Sequence, residues 1–295
     1  MDLRRTIIAP VFVLAATVGL TACKDTATDA GGLTPLPHET ILVDHRSTHL
    51  ASVPELYIRK AKRELRIAYG HTSHGSQLID GMQGLANTRG SLYAVDPAGT
   101  DSALVLHDTP FTGASDLGNP DLSAWASATR VYLDAHAEIN VVIWSWCGQV
   151  SAASVADIDT YLSLMSGLEK SYPNVHFIYM TGHLDGTGLR GNLHLRNEQI
   201  RAYCRDNKKA LFDFADIESY DPSGTYFGDR SPNDNCDYDS DGNGSKDKNW
   251  ATAWQTAHPG EWYNCGAAHT QPLNANQKAY AAWWLWARLV GWNGQ

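Results

Sequence analysis

The stretch YGHTSHGSQLIDGM, residues 69–82, sets Ser73 between His71 and His74, after a short apolar run and at the start of helical spacing. A serine hydroxyl is a weak nucleophile until a base takes its proton, and that base is near in space, not in sequence. Three chemistries are open to these residues. Ser73 can be a nucleophile on a strand-to-helix turn, His71 and His74 can ligate a metal, or the serine can simply cap a helix. On such a turn the serine oxygen is exposed beside the helix's first backbone donors, where an oxyanion would develop. Gly70 and Gly75 bracket it and permit a sharp bend. The metal reading would draw on His71, His74 and His183, with Asp185 and His194 further along, leaving one position for water. No complete ligand motif such as H-E-x-x-H accompanies them, so metal-dependent hydrolysis is the alternative and the nucleophile is preferred.

The elements that must position these groups follow from the apolar spacing. ELRIAYG ends in Gly70 as a strand, and SQLIDGMQGLAN continues as a helix. INVVIWSWCGQ is β-branched and aromatic throughout, as a strand buried on both faces of a parallel sheet would be. SVADIDTYLSLMSGLEKSY is a helix, PNVHFIYMTGH a strand, RNEQIRAYCRDNKK a helix, ALFDFADI a strand and NANQKAYAAWWLWARLVGW a closing helix. This alternation predicts a three-layer α/β/α sandwich with a central parallel sheet. Reactive groups then gather at the carboxyl ends of the strands, where the Ser73 turn, WCGQ and GHLDG all fall.

Composition sets outer bounds. The 295 residues, 43% apolar and 19% charged, suit a globular protein with a sizeable core. A net charge of -9 with no basic run argues against a nucleic-acid partner. At the amino terminus, Arg4 and Arg5 precede the apolar TIIAPVFVLAATVGL and the small-residue site LTAC. This pattern resembles the lipobox of bacterial lipoproteins. It implies a signal peptide over 1–22, lipidation of Cys23, a flexible tether over 23–45 and a place at the bacterial cell envelope, with the membrane reached through the lipid alone. The remaining domain is 46–295, with an Asp-rich insertion at about 229–265. Of the four other cysteines, Cys236 and Cys265 flank one polar, Asp-rich stretch of the insertion and are the preferred disulfide, leaving the pairing of Cys147 and Cys204 open.

From about Leu65 onward the chain resembles the SGNH (GDSL-type) hydrolase superfamily. GHTSHGSQ, VVIWSWCGQVSA, YLSLMSGLEKSYPNVHFIYMTG and HTQPLNANQKAYAAWWLWARL match its landmarks in order. It is not the G-x-S-x-G elbow of α/β-hydrolases, since position 71 is His and Ser73 follows the first strand. The resemblance implies a flavodoxin-like sheet and a serine esterase cleaving an O-acyl, acetyl-type ester without a catalytic cofactor. Ser73 becomes the nucleophile and His269 the base. Gln149 takes the place of the family's oxyanion-hole Asn, and Gly118, in preference to Gly113, supplies a backbone donor. His71 and His183 line the cleft as substrate grips. Where the family often places an Asp three residues before the histidine stands Gly266, and Glu261 is the nearest carboxylate upstream, so the third partner stays open.

In NDNCDYDSDGNGSKDKNW, Asp237, Asp239 and Asp241 followed by Gly242 reproduce the front half of a calcium loop, although Lys248 stands at its twelfth position. A structural calcium and a solvated acidic loop are both open. Trp250, Trp254 and Trp262 lie in this insertion, and exposed indoles there would stack on sugar rings, which makes a polysaccharide ester the expected substrate. A non-catalytic, calcium-dependent surface binding protein that kept the fold is the reading from another class.

Overall fold

The computed structural model describes residues 40–295. The expected signal peptide, the lipidation at Cys23 and the tether up to residue 39 lie outside the described residues. Seven strands form one sheet: β1 (Ile41–Val43), β2 (Arg66–Gly70), β3 (Val95–Asp96), β4 (Leu104–Asp108), β5 (Val141–Trp144), β6 (His176–Met180) and β7 (Ala210–Phe212). Their order is β1-β7-β6-β5-β2-β4-β3, and every pairing is parallel. The expected α/β class with a parallel sheet is therefore the observed one.

Residues 41–43, expected in the tether, belong to the sheet. Ile41–Val43 pairs with Ala210–Phe212 in register, and Ile41 and Val43 are buried. Three consecutive apolar residues beside the open edge of β7 gain more from sheet pairing and burial than from solvation.

Strand residues alternate between two cores, as the two-residue pleat demands. Ile67, Tyr69, Val141, Ile143, Ile178 and Met180 face the first, covered by α1 (Glu55–Glu64), α2 (Ser73–Arg89) and the long α8 (Pro272–Leu289). Ala68, Val142, Trp144, Phe177 and Tyr179 face the second, under α3 (Ala124–Ala135), α4 (Val155–Ser171) and α5 (Asn192–Asp206). On α8, Trp283 and Trp286 are wholly buried, as a core reading of those indoles expects. A short α6 (Phe214–Ile217) follows β7.

Setting the edge strands β1 and β3 aside, the chain lays β2 first, β4 on one side of it, then β5, β6 and β7 on the other. This is the doubly wound order 2-1-3-4-5, and its switch point is the crevice between the carboxyl ends of β2 and β5. Ser73 leaves β2 there, and Cys147 and Gln149 leave β5 there.

The insertion builds a small core of its own. A two-stranded antiparallel ribbon, β8 (Asp237–Tyr238) with β9 (Lys248–Asn249), leads into α7 (Trp250–Ala257). Phe227, Cys236, Trp250, Trp254 and Leu273 pack together, with Trp262 partly buried against them. The expectation of exposed, sugar-stacking indoles is corrected: an insertion this polar has few other large apolar groups, and the tryptophans supply its core.

Candidate active site

Thr72, with extended backbone, ends the turn after β2, and Ser73 is the first residue of α2. The Thr72 hydroxyl does not cap the helix; it donates to Asp116 Oδ2 at 2.9 Å. The first backbone donors of α2 consequently stay at the serine. Gly75 lets the turn press against the end of β5, since a Cβ on it would lie 2.3 Å from both His71 Cβ and Ser145 Oγ.

His269 comes from the loop before α8, and its Nε2 lies 3.0 Å from Ser73 Oγ across 196 residues of sequence. Both residues are exposed. The histidine adopts a left-handed backbone, φ 64°, a conformation that costs a non-glycine residue about 1–3 kcal/mol and tends to occur at functional sites. Its loop is tied from beneath: Gln77 Nε2 donates to Ala268 O at 2.6 Å, and Lys278 Nζ donates to Gln77 Oε1. Lys278 is also bonded to Glu218 Oε1 at 2.7 Å, with both side chains 0% exposed. Burial pushes the Lys278 ammonium below its usual range, against the pull of Glu218. Glu218 Oε2 accepts the Leu184 amide at 2.8 Å, so one buried ion pair braces the His269 loop and the His183 loop together.

Neither Gly266 nor Glu261 marks a carboxylate partner for the histidine. No carboxylate hydrogen bonds to the His269 ring among the described residues, and Glu261 is exposed. The space at Gly266 belongs to Asp80 of α2, since a Cβ on that glycine would lie 2.8 Å from Asp80 Cγ. Burial raises the Asp80 carboxyl, only partly countered by a hydrogen bond from Ser76.

Three imidazoles form a stack beside the serine. His74 lies between His183, 3.7 Å away with ring planes 3° apart, and His269, 4.4 Å away with planes 15° apart. His74 Nε2 meets Asp234 Oδ2 at 3.0 Å, and its Nδ1 faces Cys147 Sγ at 3.3 Å. Burial holds His74 below the ordinary histidine pKa; Asp234 opposes this, while His183 and His269 reinforce it. Asp234 is itself held low, because its contacts with His74 and His183 outweigh the desolvation that would raise it.

This stacking bears on the metal reading. The ligating lone pair of imidazole lies in the ring plane, so rings that share an ion need planes that meet at it. The planes of His74 and His183 are nearly parallel and do not converge on one point. The same geometry weighs against a shared ion for His74, Asp234 and His269, whose ligand atoms lie within 4.8 Å of one another. His71 is turned away, with Nε2 on Asp108 Oδ1 at 2.6 Å and Nδ1 on Thr72 O at 2.8 Å. It lines a separate hollow with Thr109, Phe111 and Trp144. His183 bonds Leu184 O through Nδ1 at 2.8 Å and reaches the site only through the stack.

The expected oxyanion donors converge on a residue that the sequence reading passed over. Asp116, 1% exposed, accepts from Thr72, from Gly118 N at 2.9 Å and from Gln149 Nε2 at 3.0 Å. The Gly118 amide is thus committed to a carboxylate, which corrects its expected role as a free donor. What the glycine supplies is room, since a Cβ would come 2.5 Å from Gln149 Cγ. Gln149 Oε1 accepts Cys147 N at 2.9 Å, which fixes the amide plane and leaves one proton of Nε2 uncommitted.

The remaining expected sites do not assemble. Asp239 accepts the Gly242 and Gly244 amides at 2.8 Å each, and Asp237 is held by the amides of Asn235 and Asn249, also at 2.8 Å. Asp241 accepts from the Asn243 side chain at 3.1 Å and shares the Asn243 backbone amide with Asp239, so amide donors of the loop itself engage these carboxylates. Cys236 and Cys265 are free thiols, as are Cys147 and Cys204. Cys236 Sγ is turned to Thr270 Oγ1 at 3.5 Å, while Cys265 sits against Gly84 and Asn276, so the expected bridge is not formed.

No protein-family profile and no curated protein matches the sequence. Among solved structures, the chain is similar to a candidate acylhydrolase from Bacteroides fragilis NCTC 9343, at 10% identity and a TM-score of 0.33, over 59% of this chain and 83% of that one.

Proposed function

We propose that the protein is a serine ester hydrolase working by two-step acyl transfer on a small O-acyl ester. The observation that carries this reading is the 3.0 Å approach of His269 Nε2 to Ser73 Oγ, at the switch point of a doubly wound sheet. In the first step Ser73 Oγ attacks the carbonyl carbon as His269 Nε2 takes its proton, and His269 returns that proton to the leaving alcohol. In the second, His269 deprotonates water, which attacks the acyl carbon, and the proton passes from His269 to Ser73 Oγ as the carboxylic acid departs. The carbonyl oxygen carries negative charge in both steps. The Ser73 amide at the start of α2 and the uncommitted proton of the Gln149 amide are the donors assigned to it. The geometry offers the alcohol portion no aromatic platform from the insertion, so a carbohydrate ester loses the support the sequence lent it.

The test is covalent. The described domain is incubated with a fluorophosphonate, turnover of p-nitrophenyl acetate is followed, and the labelled residue is located by mass spectrometry. Stoichiometric label on Ser73 with parallel loss of turnover is expected. Label on another residue, or turnover that survives complete labelling of Ser73, overturns the proposal.

A further inference from the structure

Beside the Ser73–His269 pair stands a second nucleophile with its own base and its own carboxylate. Asp234 Oδ2 lies 3.0 Å from His74 Nε2, and His74 Nδ1 lies 3.3 Å from Cys147 Sγ. A carboxylate on Nε2 fixes the proton there, so the Nδ1 lone pair faces the thiol as an acceptor. Burial holds His74 below the ordinary histidine range, which favours the neutral ring that an acceptor requires. Thiol, imidazole and carboxylate in sequence are the parts of an activated nucleophile, and Cys147 is only half-buried, open to small reagents. Its sulfur lies 4.0 Å from Ser73 Oγ. An atom added to that sulfur competes with the acyl carbon for the space in front of the serine.

We propose that Cys147 is a primed reactive thiol, and that its covalent modification, above all by a hydroperoxide, switches off the site at Ser73. With hydrogen peroxide, Sγ attacks one peroxide oxygen and the O–O bond breaks. The departing hydroxide takes up the thiol proton by way of His74 and leaves as water. Sulfur is oxidised by two electrons to a sulfenic acid while the peroxide is reduced. A dithiol such as dithiothreitol reverses this: one thiol displaces water from the sulfenic sulfur, and the second resolves the mixed disulfide.

The switching half rests on the esterase reading above, whereas the reactivity half does not, and two readouts keep them apart. The first is the rate of alkylation at each cysteine by iodoacetamide at pH 7, followed by mass spectrometry. Cys265, also half-buried, is the internal reference, and its thiol is pushed up to about 11 by burial. Cys147 is expected to react at least about tenfold faster than Cys265, and to lose about tenfold of its rate in His74→Phe and in Asp234→Asn. The phenyl ring keeps the stack and removes the acceptor. Should His74→Phe fail to fold by circular dichroism, Asp234→Asn carries the comparison. A Cys147 no faster than Cys265, or equally fast in the folded variants, overturns the primed thiol.

The second readout is ester turnover after treatment with hydrogen peroxide. The wild type is expected to lose activity with peroxide and to regain it with dithiothreitol, while a dimedone adduct on Cys147 in a separate portion of the oxidised protein reports the sulfenic acid. Cys147→Ala is expected to keep its activity through the same treatment. Adduct formation with undiminished turnover overturns the switch. Absence of turnover before any treatment counts against the esterase reading and leaves the alkylation result to stand by itself.

Discussion

A serine–histidine pair and a cysteine–histidine pair share one crevice, and they are held in opposite ways. The Ser73–His269 pair is exposed, its imidazole rides on a loop, and no carboxylate bonds that ring among the described residues. The Cys147–His74 pair is largely buried, and Asp234 fixes its imidazole directly. The difference shows two means of orienting a histidine. At His74 a carboxylate selects the tautomer. At His269 the backbone is fixed instead: Gln77 grips Ala268 O, Lys278 grips Gln77, Glu218 grips Lys278, and the ring leans on His74. The complete relay thus belongs to the thiol, while the pair proposed for ester cleavage depends on a buried brace.

The sharpest way to break this comparison is to remove each nucleophile in turn. Ser73→Ala and His269→Ala are each expected to lower kcat on p-nitrophenyl acetate by about 10³-fold or more, while Cys147→Ala leaves it within about twofold. The reverse pattern, activity that follows Cys147, would move the chemistry to the buried relay. The brace is tested next. Glu218→Gln leaves Lys278 charged and buried without its partner, and such a loss costs about 3–5 kcal/mol of folding stability, readable by urea unfolding. Lys278→Met in the same chain should restore much of it. A Glu218→Gln protein as stable as wild type would mean that the ion pair braces nothing.

Asp234→Asn separates the two relays with a smaller effect. If Asp234 serves His74 alone, the substitution lowers ester turnover by less than about tenfold, whereas loss of a true triad carboxylate costs about 10⁴-fold. A drop of that larger size would make Asp234 the missing acid of His269, to which it lies within 4.8 Å.

How far the sequence discloses this arrangement depends on whether a feature is local. The strand–turn–helix around Ser73, the apolar runs of β5 and β6 and the Trp-rich face of α8 are written in contiguous residues, and their spacing reads correctly. The stretch SALVLHD that forms β4, and Ile41–Val43 that forms β1, are short runs whose strand character comes from the neighbours they pair with. Asp116 and Asp234 fall in polar loops with no periodicity to mark them, and Cys147 ends an apolar run that gives no sign of its partners. Only the fold brings Asp116 to Thr72, Gly118 and Gln149. The acidic loop is written locally: its alternating aspartates have calcium-loop spacing, and the neighbouring Asn and Gly residues donate to those carboxylates. The cysteines flanking the insertion were adjacent to one loop in sequence without facing each other in space. One available signal went unused, the polar Gln77, Asn274 and Lys278 inside otherwise apolar helices, since buried polar groups require partners.

The imidazole stack carries the smallest expected effect, and it is one of sign. Burial holds His74 below its unfolded pKa of 6.5, with His183 and His269 adding repulsion. As pH falls through 6.5 the unfolded chain takes up this proton before the folded one, so the folded state loses stability progressively until pH reaches the depressed folded value, and the penalty then levels off. Above 6.5 both states are neutral at this residue and it contributes no slope. Asp80 is common to wild type and variant, whereas Asp234 loses its contact with His74 in the variant and its carboxyl rises, which acts in the same direction on the difference. The difference in urea-unfolding free energy between wild type and His74→Phe, measured from pH 7.5 down to 5, reports the ring together with its Asp234 contact. The wild type should lose stability relative to the variant below pH 6.5, and parallel curves across that range would show that the stack accepts a proton at no cost, removing the reason to treat His74 as a neutral acceptor for Cys147.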